Sequence, residues 1–533
     1  MKQPKLQKAL SMLLACVLVF SVASVSFAAA EEKTPVIVVS GMGSRDMTVH
    51  DTGKRAFPPA TDNILKGVFL GLGPILSAIL FGKGILFDKY GADAIYGMLG
   101  DLACDEDGKS VKQIDSVLFP DSVDHYRDVF TKEDKNECGF VRAVADAHGW
   151  ENTYFFNYDW RMSPIDIAKD LADMVKFVKE KHGAQKVSLF AMSMGGNVLS
   201  AYLSQYGAND IKTAVYASTA FLGVEMVSNL LAGKLFLNTD ALLTYFVPFL
   251  QMADLPVLAK AFDLADKAAE KDGMDTVNAI LARTVKAIKD PMYQKIFKTT
   301  FARFPGVWSF VPAAEYEACK AYSKTYTTLS DAFWQKADAM AAIQKNTKTL
   351  IEKAQQGGTN VYIIGAYGFA GIPVSGAYVN HTDTLIDTHL MSGNCVVAPY
   401  GKTLLDVGYT TGSGCGNKSH YHISTDNVID ASVGLLPEHT WLIKGMGHVE
   451  FAYGTGASAL GVWLATSETP VTVHSDARYP QFTELNRATG NLVSLTQNVT
   501  VPAGNDVPAK EGFFQKVQAF LRSLMLRMLS VFG

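Results

Sequence analysis

The segment Val187–Gly196 constrains this chain more than any other part of it. A short apolar stretch rich in β-forming residues leads into Ser193, and two glycines and a helix-like segment follow. A serine in such a tight strand-to-helix turn presents its hydroxyl at the end of a sheet. Because a serine hydroxyl is unreactive alone, the chain must also supply a base, a group that orients the base, and hydrogen-bond donors for an oxyanion.

The turn departs at one position from the common Gly-x-Ser-x-Gly pattern. Ala191 stands where the first glycine is usual. Small residues are needed there because the strand and the helix nearly touch at the serine. Alanine has the next smallest side chain, so we interpret the departure as mild and take Ser193 as the candidate nucleophile. A chance Ser-x-Gly after a strand is the alternative, and the segments around the turn argue against it.

The composition fits a large globular chain with an N-terminal targeting segment. The 533 residues are 48% hydrophobic and 19% charged, with a net charge of −4, which gives no case for a nucleic-acid partner. Three lysines precede the apolar residues 9–27, and three alanines follow. This pattern predicts a signal peptide over residues 1–30 and a secreted or extracellular protein. A retained anchor and a lipoprotein cut at Cys16 are the weaker alternatives.

Five cysteines remain after the predicted signal peptide. Export permits disulfides, and proximity in the sequence suggests the pairs Cys104–Cys138 and Cys395–Cys415, leaving Cys319 over. Spacing alone cannot fix the connectivity, so these pairs are suggestions only.

Alternate histidines at His420 and His422 are the one metal-like pattern of the chain. Two such histidines can bind zinc, but the sequence offers no third ligand close to them and no Cys-x-x-Cys. We therefore expect no metal and no cofactor.

Buried strands alternate with helices, which predicts a parallel sheet. Residues 163–183 carry the helix signals, with Ser163 as N-cap, Pro164 in the first turn and Gly183 as the stop. The strands are predicted near 35–39, 153–157, 187–193, 211–217, 360–365 and 439–443, the last of these ending the sheet.

The partners of Ser193 should follow it in the order acid, then histidine. His448 is the candidate base because it comes after a predicted strand and a Gly-Met-Gly turn. Asp426, in a turn 22 residues earlier (448 − 426), is the candidate acid. The alternatives for the acid are Asp430, Asp387 and Asp406.

The oxyanion donors should be backbone amides. We predict the amide of Met194, directly after the nucleophile, and that of Met42, in the glycine turn after the first strand.

Several segments of the chain follow one another in a characteristic order. They are Pro35–Gly43, Phe156–Arg161, Ala191–Gly196, Thr219–Gly223, Phe304–Pro312 and the spacing from Asp426 to His448. Together they resemble the lecithin:cholesterol acyltransferase family, which includes lysosomal phospholipase A2-like enzymes and bacterial lipase relatives. The resemblance covers about residues 33–452. It implies an α/β-hydrolase fold with a mostly parallel sheet and an inserted helical cap, an acyl-serine intermediate, and Ser193, Asp426 and His448 as the catalytic residues.

Two further points accompany the resemblance. The chain has Ser40-Gly41-Met42 where relatives often have Pro-Gly, besides Ala191. We interpret the neighbouring Asp159 and Arg161 as a buried structural ion pair rather than as catalytic groups.

The domain organisation expected on this basis has six parts. They are a signal peptide (1–30), a first part of the hydrolase core (31–223, with an apolar insertion at about 60–110), a helical cap (224–358), a second part of the core (359–465), a β-rich tail (466–508) and a basic amphipathic helix (509–533). Residues 67–81 and 242–250 are apolar, and an interfacial lid or ordinary cap core explains them equally well.

The expected function is hydrolysis of acyl ester bonds in lipids, either phospholipids or acylglycerols, by a secreted serine esterase. The expected partners are the lipid ester and a membrane surface, contacted through the cap and the amphipathic helix. Acyl transfer to an alcohol, and non-catalytic lipid binding on a hydrolase scaffold, are the alternatives.

Overall fold

The computed structural model describes most of the chain between residues 33 and 495. The described ranges are 33–58, 92–132, 138–238, 240–242, 244–245, 271–410, 415–417, 420–454 and 456–495. The predicted signal peptide, the apolar segment 67–81, most of segment 242–250 and the predicted C-terminal helix lie outside them.

Fifteen strands lie in the described ranges. They are β1 (Val36–Val39), β2 (Met47–Val49), β3 (Arg55–Phe57), β4 (Ile114–Ser116), β5 (Thr153–Phe156), β6 (Val187–Ser193), β7 (Ile211–Thr219), β8 (Asn360–Tyr367), β9 (Phe369–Ala370), β10 (His381–Thr382), β11 (Val396–Val397), β12 (Ile429–Asp430), β13 (Thr440–Lys444), β14 (Phe482–Leu485) and β15 (Leu492–Ser494).

The described α-helices are α1 (Ala92–Leu99), α2 (Arg127–Phe130), α3 (Gly139–His148), α4 (Pro164–His182), α5 (Gly195–Tyr206), α6 (Glu225–Leu231), α7 (Lys271–Pro291), α8 (Pro305–Trp308), α9 (Tyr316–Ser323), α10 (Asp331–Lys345), α11 (Thr347–Gln356), α12 (Thr388–Met391) and α13 (Ala457–Thr466). Short 3-10 helices occupy Gly100–Leu102, Val123–Tyr126, Phe301–Arg303, Gly376–Val379 and Pro437–His439, and Met292–Phe297 is a π-helix.

An eight-stranded sheet forms the centre of the molecule. Its order is β15-β14-β13-β8-β7-β6-β1-β5, and every neighbouring pair is parallel except β14 with β15. β6, which carries Ser193, lies between β1 and β7. The carboxyl ends of parallel strands meet at one edge of a sheet, where such folds place their sites. The predicted parallel core is confirmed.

Both faces of the sheet are covered by apolar side chains. Ile37 and Val39 of β1 belong to the core on the side of α4 and α5, whereas Val36 and Val38 belong to the core on the side of α3 and α13. All four residues of β1 are fully buried. Burial on both faces explains why the strand is continuously apolar rather than alternating.

Helix α4 follows the sequence signals closely. The Ser163 hydroxyl accepts a hydrogen bond from the Ile165 amide at 3.3 Å, and Pro164 is the first helical residue. Gly183 ends the helix in the left-handed conformation at φ 64°. Each of these features supplies or spares a backbone group that the helix end leaves unpaired.

The far edge of the sheet differs from the prediction. β13 was expected to be the last strand, but β14 and β15 extend the sheet beyond it. Both lie inside the predicted tail 466–508, so part of that segment belongs to the central sheet. The strands are only four and three residues long, and β15 has no buried residue, which makes them weak signals in the sequence.

The described residues between 224 and 358 fold into helices without a strand. Within the described ranges, none of the helices combines the length and apolarity that crossing a membrane would require. Cys104 and Cys395 are free thiols, so neither suggested disulfide is present in the structure.

Candidate active site

Ser193 ends β6 in a strained backbone conformation. Its φ is 50°, in the left-handed region that side-chain-bearing residues rarely adopt, and helix α5 begins two residues later. Such strain is found where the surrounding structure fixes a residue for function. The turn therefore has the geometry of the nucleophile elbow that the sequence predicts.

Close packing explains which of the small residues in this turn are required. A Cβ atom at Gly195 would lie 2.7 Å from the Val39 carbonyl oxygen, and one at Gly196 would lie 2.5 Å from the Thr219 Cβ. Ala191 is fully buried in β6 between Val39 and Tyr216 of the adjoining strands, and its methyl group is accommodated. The glycines that follow the serine are thus constrained more tightly than the position of Ala191.

His448 lies directly against the nucleophile. Its Nε2 is 3.0 Å from Ser193 Oγ, and its side chain is 12% exposed. The other ring nitrogen, Nδ1, is 2.7 Å from Asp383 Oδ2. Because a carboxylate only accepts hydrogen bonds, Nδ1 carries the proton and leaves Nε2 free to accept the serine proton.

Asp383 is held rigidly for this role. Its Oδ1 accepts hydrogen bonds from the amides of Leu385 at 3.1 Å and Ile386 at 2.8 Å, so its Oδ2 is directed at His448. The carboxylate is fully buried. Burial disfavours the charged ring of His448, but the charge and hydrogen bond of Asp383 outweigh burial and raise the pKa of His448 above its ordinary 6.5.

The prediction that Asp426 orients the histidine is wrong. Asp426 Oδ2 instead accepts hydrogen bonds from Lys444 Nζ at 2.8 Å and from the Tyr367 hydroxyl at 3.1 Å. Burial opposes its ionisation, but the hydrogen bond from Lys444 and those from Ser424 and Tyr367 hold the pKa of Asp426 below its usual value. Asp426 comes before β13, where a triad acid could lie. Its carboxylate, however, forms an ion pair with Lys444 at the end of that strand.

The three alternative acids have other partners too. Asp430 accepts a hydrogen bond from Tyr409, and Asp406 accepts one from the Thr403 amide. Asp387 accepts hydrogen bonds from Asn380 and from the amide of Glu225, while burial raises its pKa.

The sequence contains a feature that could have indicated Asp383, although the prediction did not use it. The segment 360–365 is recognisable as a core strand, and the loop after such a strand emerges at the edge of the sheet where Ser193 lies. Asp383 lies in this loop, 16 residues beyond the end of β8 (383 − 367). The prediction instead placed the acid close to the histidine strand, and the alternative Asp387 lies only four residues beyond Asp383 (387 − 383).

The loop after β1 reaches the nucleophile. A Cβ atom at Gly41 would lie 2.8 Å from Ser193 Cβ and 3.3 Å from its Oγ, so only a glycine fits without displacement. Met42 is the next residue, and Met194 precedes the first turn of α5. Their amides remain the predicted oxyanion donors, and the closeness of this loop to the serine supports that prediction.

Hydrogen bonds of Arg487 and Glu450 hold the loop that carries His448. Arg487 donates hydrogen bonds to Glu450 and to the Gly445 carbonyl, and Glu450 accepts a hydrogen bond from the Gly447 amide. Arg487 lies in the turn between β14 and β15, the two strands that the sequence prediction places in the tail and not in the sheet.

The parallel sheet, the strained serine turn and the hydrogen-bonded histidine and aspartate together define the architecture. The chain has the α/β-hydrolase fold. A family model described as serine aminopeptidase, S33 (Hydrolase_4) matches residues 136–298, which include the elbow, and supports membership of the α/β-hydrolase superfamily. The narrower resemblance to the lecithin:cholesterol acyltransferase family has no such support.

The chain was also compared with curated proteins and with solved structures. No curated protein matches its sequence. A chain in the crystal structure of the Tle4-Tli4 complex is similar at 12% sequence identity, with 81% of this chain and 97% of that chain covered and a TM-score of 0.31.

Proposed function

We propose that the chain is a serine esterase that hydrolyses acyl esters of lipids through an acyl-serine intermediate. The observation that carries the proposal is the continuous hydrogen-bonded series from Ser193 Oγ through His448 to Asp383. A base within hydrogen-bond reach of a serine hydroxyl, itself oriented by a carboxylate, is the arrangement that activates a serine.

Each residue has a role in the proposed reaction. His448 Nε2 takes the proton of Ser193 Oγ as the oxygen attacks the ester carbonyl, and the amides of Met42 and Met194 donate to the oxyanion. His448 then gives the proton to the leaving alcohol. A water molecule, deprotonated by the same nitrogen, attacks the acyl-serine and releases the acid. Asp383 stabilises the charged ring throughout.

Exposed apolar residues next in sequence to the residues of the site favour an apolar acyl group. Met42 is 42% exposed beside the Ser193 loop, and Val449, adjacent to His448, is 51% exposed. Exposed apolar side chains at a site are suited to an apolar ligand. They are the structural support for a lipid substrate over a polar ester.

The proposal also includes the helical segment 224–358, which would cover the site. The Asn197 side-chain amide of the elbow helix donates to the Ser309 carbonyl at 2.6 Å. This contact joins the helical segment to the core close to the serine turn. Secretion and attachment to a membrane through residues 509–533 rest on the sequence pattern alone.

A fluorophosphonate probe tests the nucleophile. We expect the wild-type chain to be labelled and Ser193→Ala to be unlabelled, whereas Ser200→Ala, a change in the same helix-and-turn region, should be labelled normally. Equal labelling of wild type and Ser193→Ala would reject the serine mechanism and favour the non-catalytic alternative.

A substrate panel tests the acyl class and the acceptor. It should contain short-chain and long-chain acylglycerols, phospholipids and amino-acid arylamides, the last because the matching family model describes an aminopeptidase. We expect turnover of the lipid esters and free fatty acid as the product. A new ester formed when an alcohol is added would identify acyl transfer, and exclusive cleavage of the arylamides would reject the lipid proposal.

A further inference from the structure

Four potential metal ligands lie close together near the end of the sheet opposite to Ser193 and His448. Cys415, His420, His422 and Glu438 each offer one ligand atom, and these atoms all lie within 4.8 Å of one another. We call this set the Cys-His-His-Glu cluster. Nothing in the proposed esterase reaction uses it.

Two distances in the cluster match the edges of a zinc coordination tetrahedron, and all four ligand atoms lie within 4.8 Å of one another. Cys415 Sγ and His422 Nε2 each lie 3.3 Å from Glu438 Oε1, and His420 Nδ1 contacts the same oxygen. Zinc bonds of about 2.0–2.3 Å to nitrogen, oxygen and sulfur place tetrahedral ligands roughly 3.3–3.7 Å apart. The ligand atoms therefore need only small adjustments to surround one ion.

The hydrogen bonds of Gln481 fix the tautomer of His422. The Gln481 Nε2 donates to the carbonyls of Pro437 at 2.7 Å and Thr440 at 3.1 Å, so its Oε1 must be the atom that faces His422 Nδ1 at 2.7 Å. Nδ1 therefore carries the proton, and Nε2 of the neutral ring has a lone pair. A histidine whose second nitrogen donates to an oxygen in this way is the usual form of a metal ligand.

That lone pair has no hydrogen-bond partner although it is buried. The His422 side chain is 1% exposed, and its Nε2 faces the Glu438 carboxylate without a hydrogen bond. A lone pair and a carboxylate oxygen repel each other at this distance, whereas a cation between them would bind both. The unpartnered nitrogen thus points independently to a bound positive ion.

We propose that the Cys-His-His-Glu cluster binds one zinc ion. A thiolate with two imidazoles and a carboxylate suits Zn²⁺ better than Mg²⁺ or Ca²⁺, which prefer oxygen ligands. On binding, the Cys415 thiol gives up its proton to solvent, the proton of the neutral His420 ring moves from Nδ1 to Nε2, and no electrons are transferred. Four protein ligands complete a tetrahedron, which is the form of a structural rather than a catalytic site.

The location of the cluster agrees with a structural role. Glu438 precedes β13, whose opposite end leads to His448, and the five-residue strand between them is about 13 Å or more long. The segment 415–422 joins β12 through the hydrogen bond from the Ala431 amide to the His422 carbonyl at 2.9 Å. Zinc would therefore fix this segment to the start of β13 without touching the reacting atoms.

The expectation that His420 and His422 lack further ligands is wrong in this fold. Cys415 lies five residues before His420 (420 − 415), and Glu438 lies 16 residues after His422 (438 − 422). Neither spacing belongs to a common zinc motif, and only the turn before β13 brings Glu438 to the histidines.

Metal analysis of the purified full chain tests the proposal. After incubation with Zn²⁺ under reducing conditions and gel filtration, we expect about one zinc per chain in the wild type and less than about a tenth of that in Cys415→Ser and His422→Ala. Cys319→Ser, which removes a thiol far from the cluster, is the matched control and should retain the metal. Circular dichroism establishes that each variant is folded.

Cobalt substitution provides a readout that does not depend on the variants. Co²⁺ in the wild type should show tetrahedral visible bands and a thiolate charge-transfer band. A chelator should lower the melting temperature of the wild type but leave that of folded Cys415→Ser unchanged. A wild type that binds no stoichiometric zinc, or that lacks the thiolate band with Co²⁺, would overturn the proposal. Since neither readout involves catalysis, the outcome is independent of the esterase assignment.

Discussion

Two aspartates near the active site have different partners, and Asp383 is fully buried whereas Asp426 is partly buried. Asp383 has one oxygen held by backbone amides and the other on His448. Asp426 has a lysine and a tyrosine on its carboxylate. A carboxylate paired with a cation is already neutralised, whereas Asp383 is available to stabilise a positive charge that develops on the imidazole ring.

Replacing each aspartate by asparagine should separate these roles. We expect Asp383→Asn to lower kcat by roughly 10³–10⁴, because the amide no longer stabilises the charged ring and permits the wrong tautomer. Asp426→Asn should retain kcat within about threefold, because its partners lie outside the series from Ser193 to Asp383. Ester hydrolysis at a temperature where both variants are folded is the measurement. A larger loss in Asp426→Asn than in Asp383→Asn would reverse the assignment.

The raised pKa of His448 predicts the pH dependence of the reaction. The ring must be neutral to accept the serine proton, so activity is lost as the pH falls through this pKa. Because Asp383 raises the pKa, the acid limb of kcat/KM is expected above pH 6.5. In Asp383→Asn burial alone acts on the ring and the limb should move to lower pH. An acid limb that is the same in both proteins would show that Asp383 does not face the titrating group.

At the scale of elements, the serine turn depends on the close approach of the β1 loop. Gly41→Ala would place a methyl group 2.8 Å from Ser193 Cβ, so either the serine or the predicted oxyanion loop must move. We expect kcat/KM to fall by roughly 10²-fold or more, comparable to the loss of one oxyanion donor. Steady-state kinetics on a soluble ester would measure the loss.

Gly376→Ala is the control for this substitution. A Cβ atom at Gly376 meets nothing within 4 Å, and the residue does not have a positive φ. It should leave kcat/KM within about twofold. Normal activity in Gly41→Ala would mean that the loop can shift without consequence and that its amide at Met42 is not a donor.

The elements that could be predicted from the sequence are those with local causes. β1 and β6 are continuous apolar runs, and α4 has its own N-cap and glycine stop. Ser193 and His448, which the structure brings within 3.0 Å, could be chosen as candidates because each follows a predicted strand closely. Asp383 was missed because it comes 16 residues after its strand (383 − 367), beyond the two-residue strands β9 and β10. The short edge strands β14 and β15 carry too few residues to be distinguished from loops.

At the scale of the whole molecule, contacts between distant segments decide what the sequence pattern leaves open. Glu438 reaches the two histidines through the fold, not through a motif. For Arg161 the expected ion pair with Asp159 is present at 2.5 Å, with the arginine side chain fully buried and that of the aspartate 21% exposed. This ion pair could be predicted because Asp159 and Arg161 are close in the sequence. The other hydrogen-bond partners of Arg161 are distant in the sequence and could not be predicted.

Arg161 joins three parts of the chain. Its guanidinium donates to the Leu102 carbonyl at 2.8 Å and to Ser110 Oγ at 2.9 Å, besides its pair with Asp159. Its own carbonyl accepts from the Gly306 amide at 2.8 Å. The side chain is fully buried, so its charge links the segment after α1 to the segment after β5, and its backbone carbonyl links both to the helical segment.

We therefore expect Arg161→Met to lower the free energy of unfolding by about 3 kcal/mol, because it leaves Asp159 and two further acceptors without their donor. Arg478→Met is the control, since Arg478 pairs with Asp476 in the same way but is 73% exposed, and an ion pair exposed to water contributes little to stability. Urea titration followed by tryptophan fluorescence measures both. Fluorophosphonate labelling of folded Arg161→Met should be normal, because the guanidinium contacts none of the triad. Equal destabilisation by the two changes would mean that the buried arginine does not hold the three segments together.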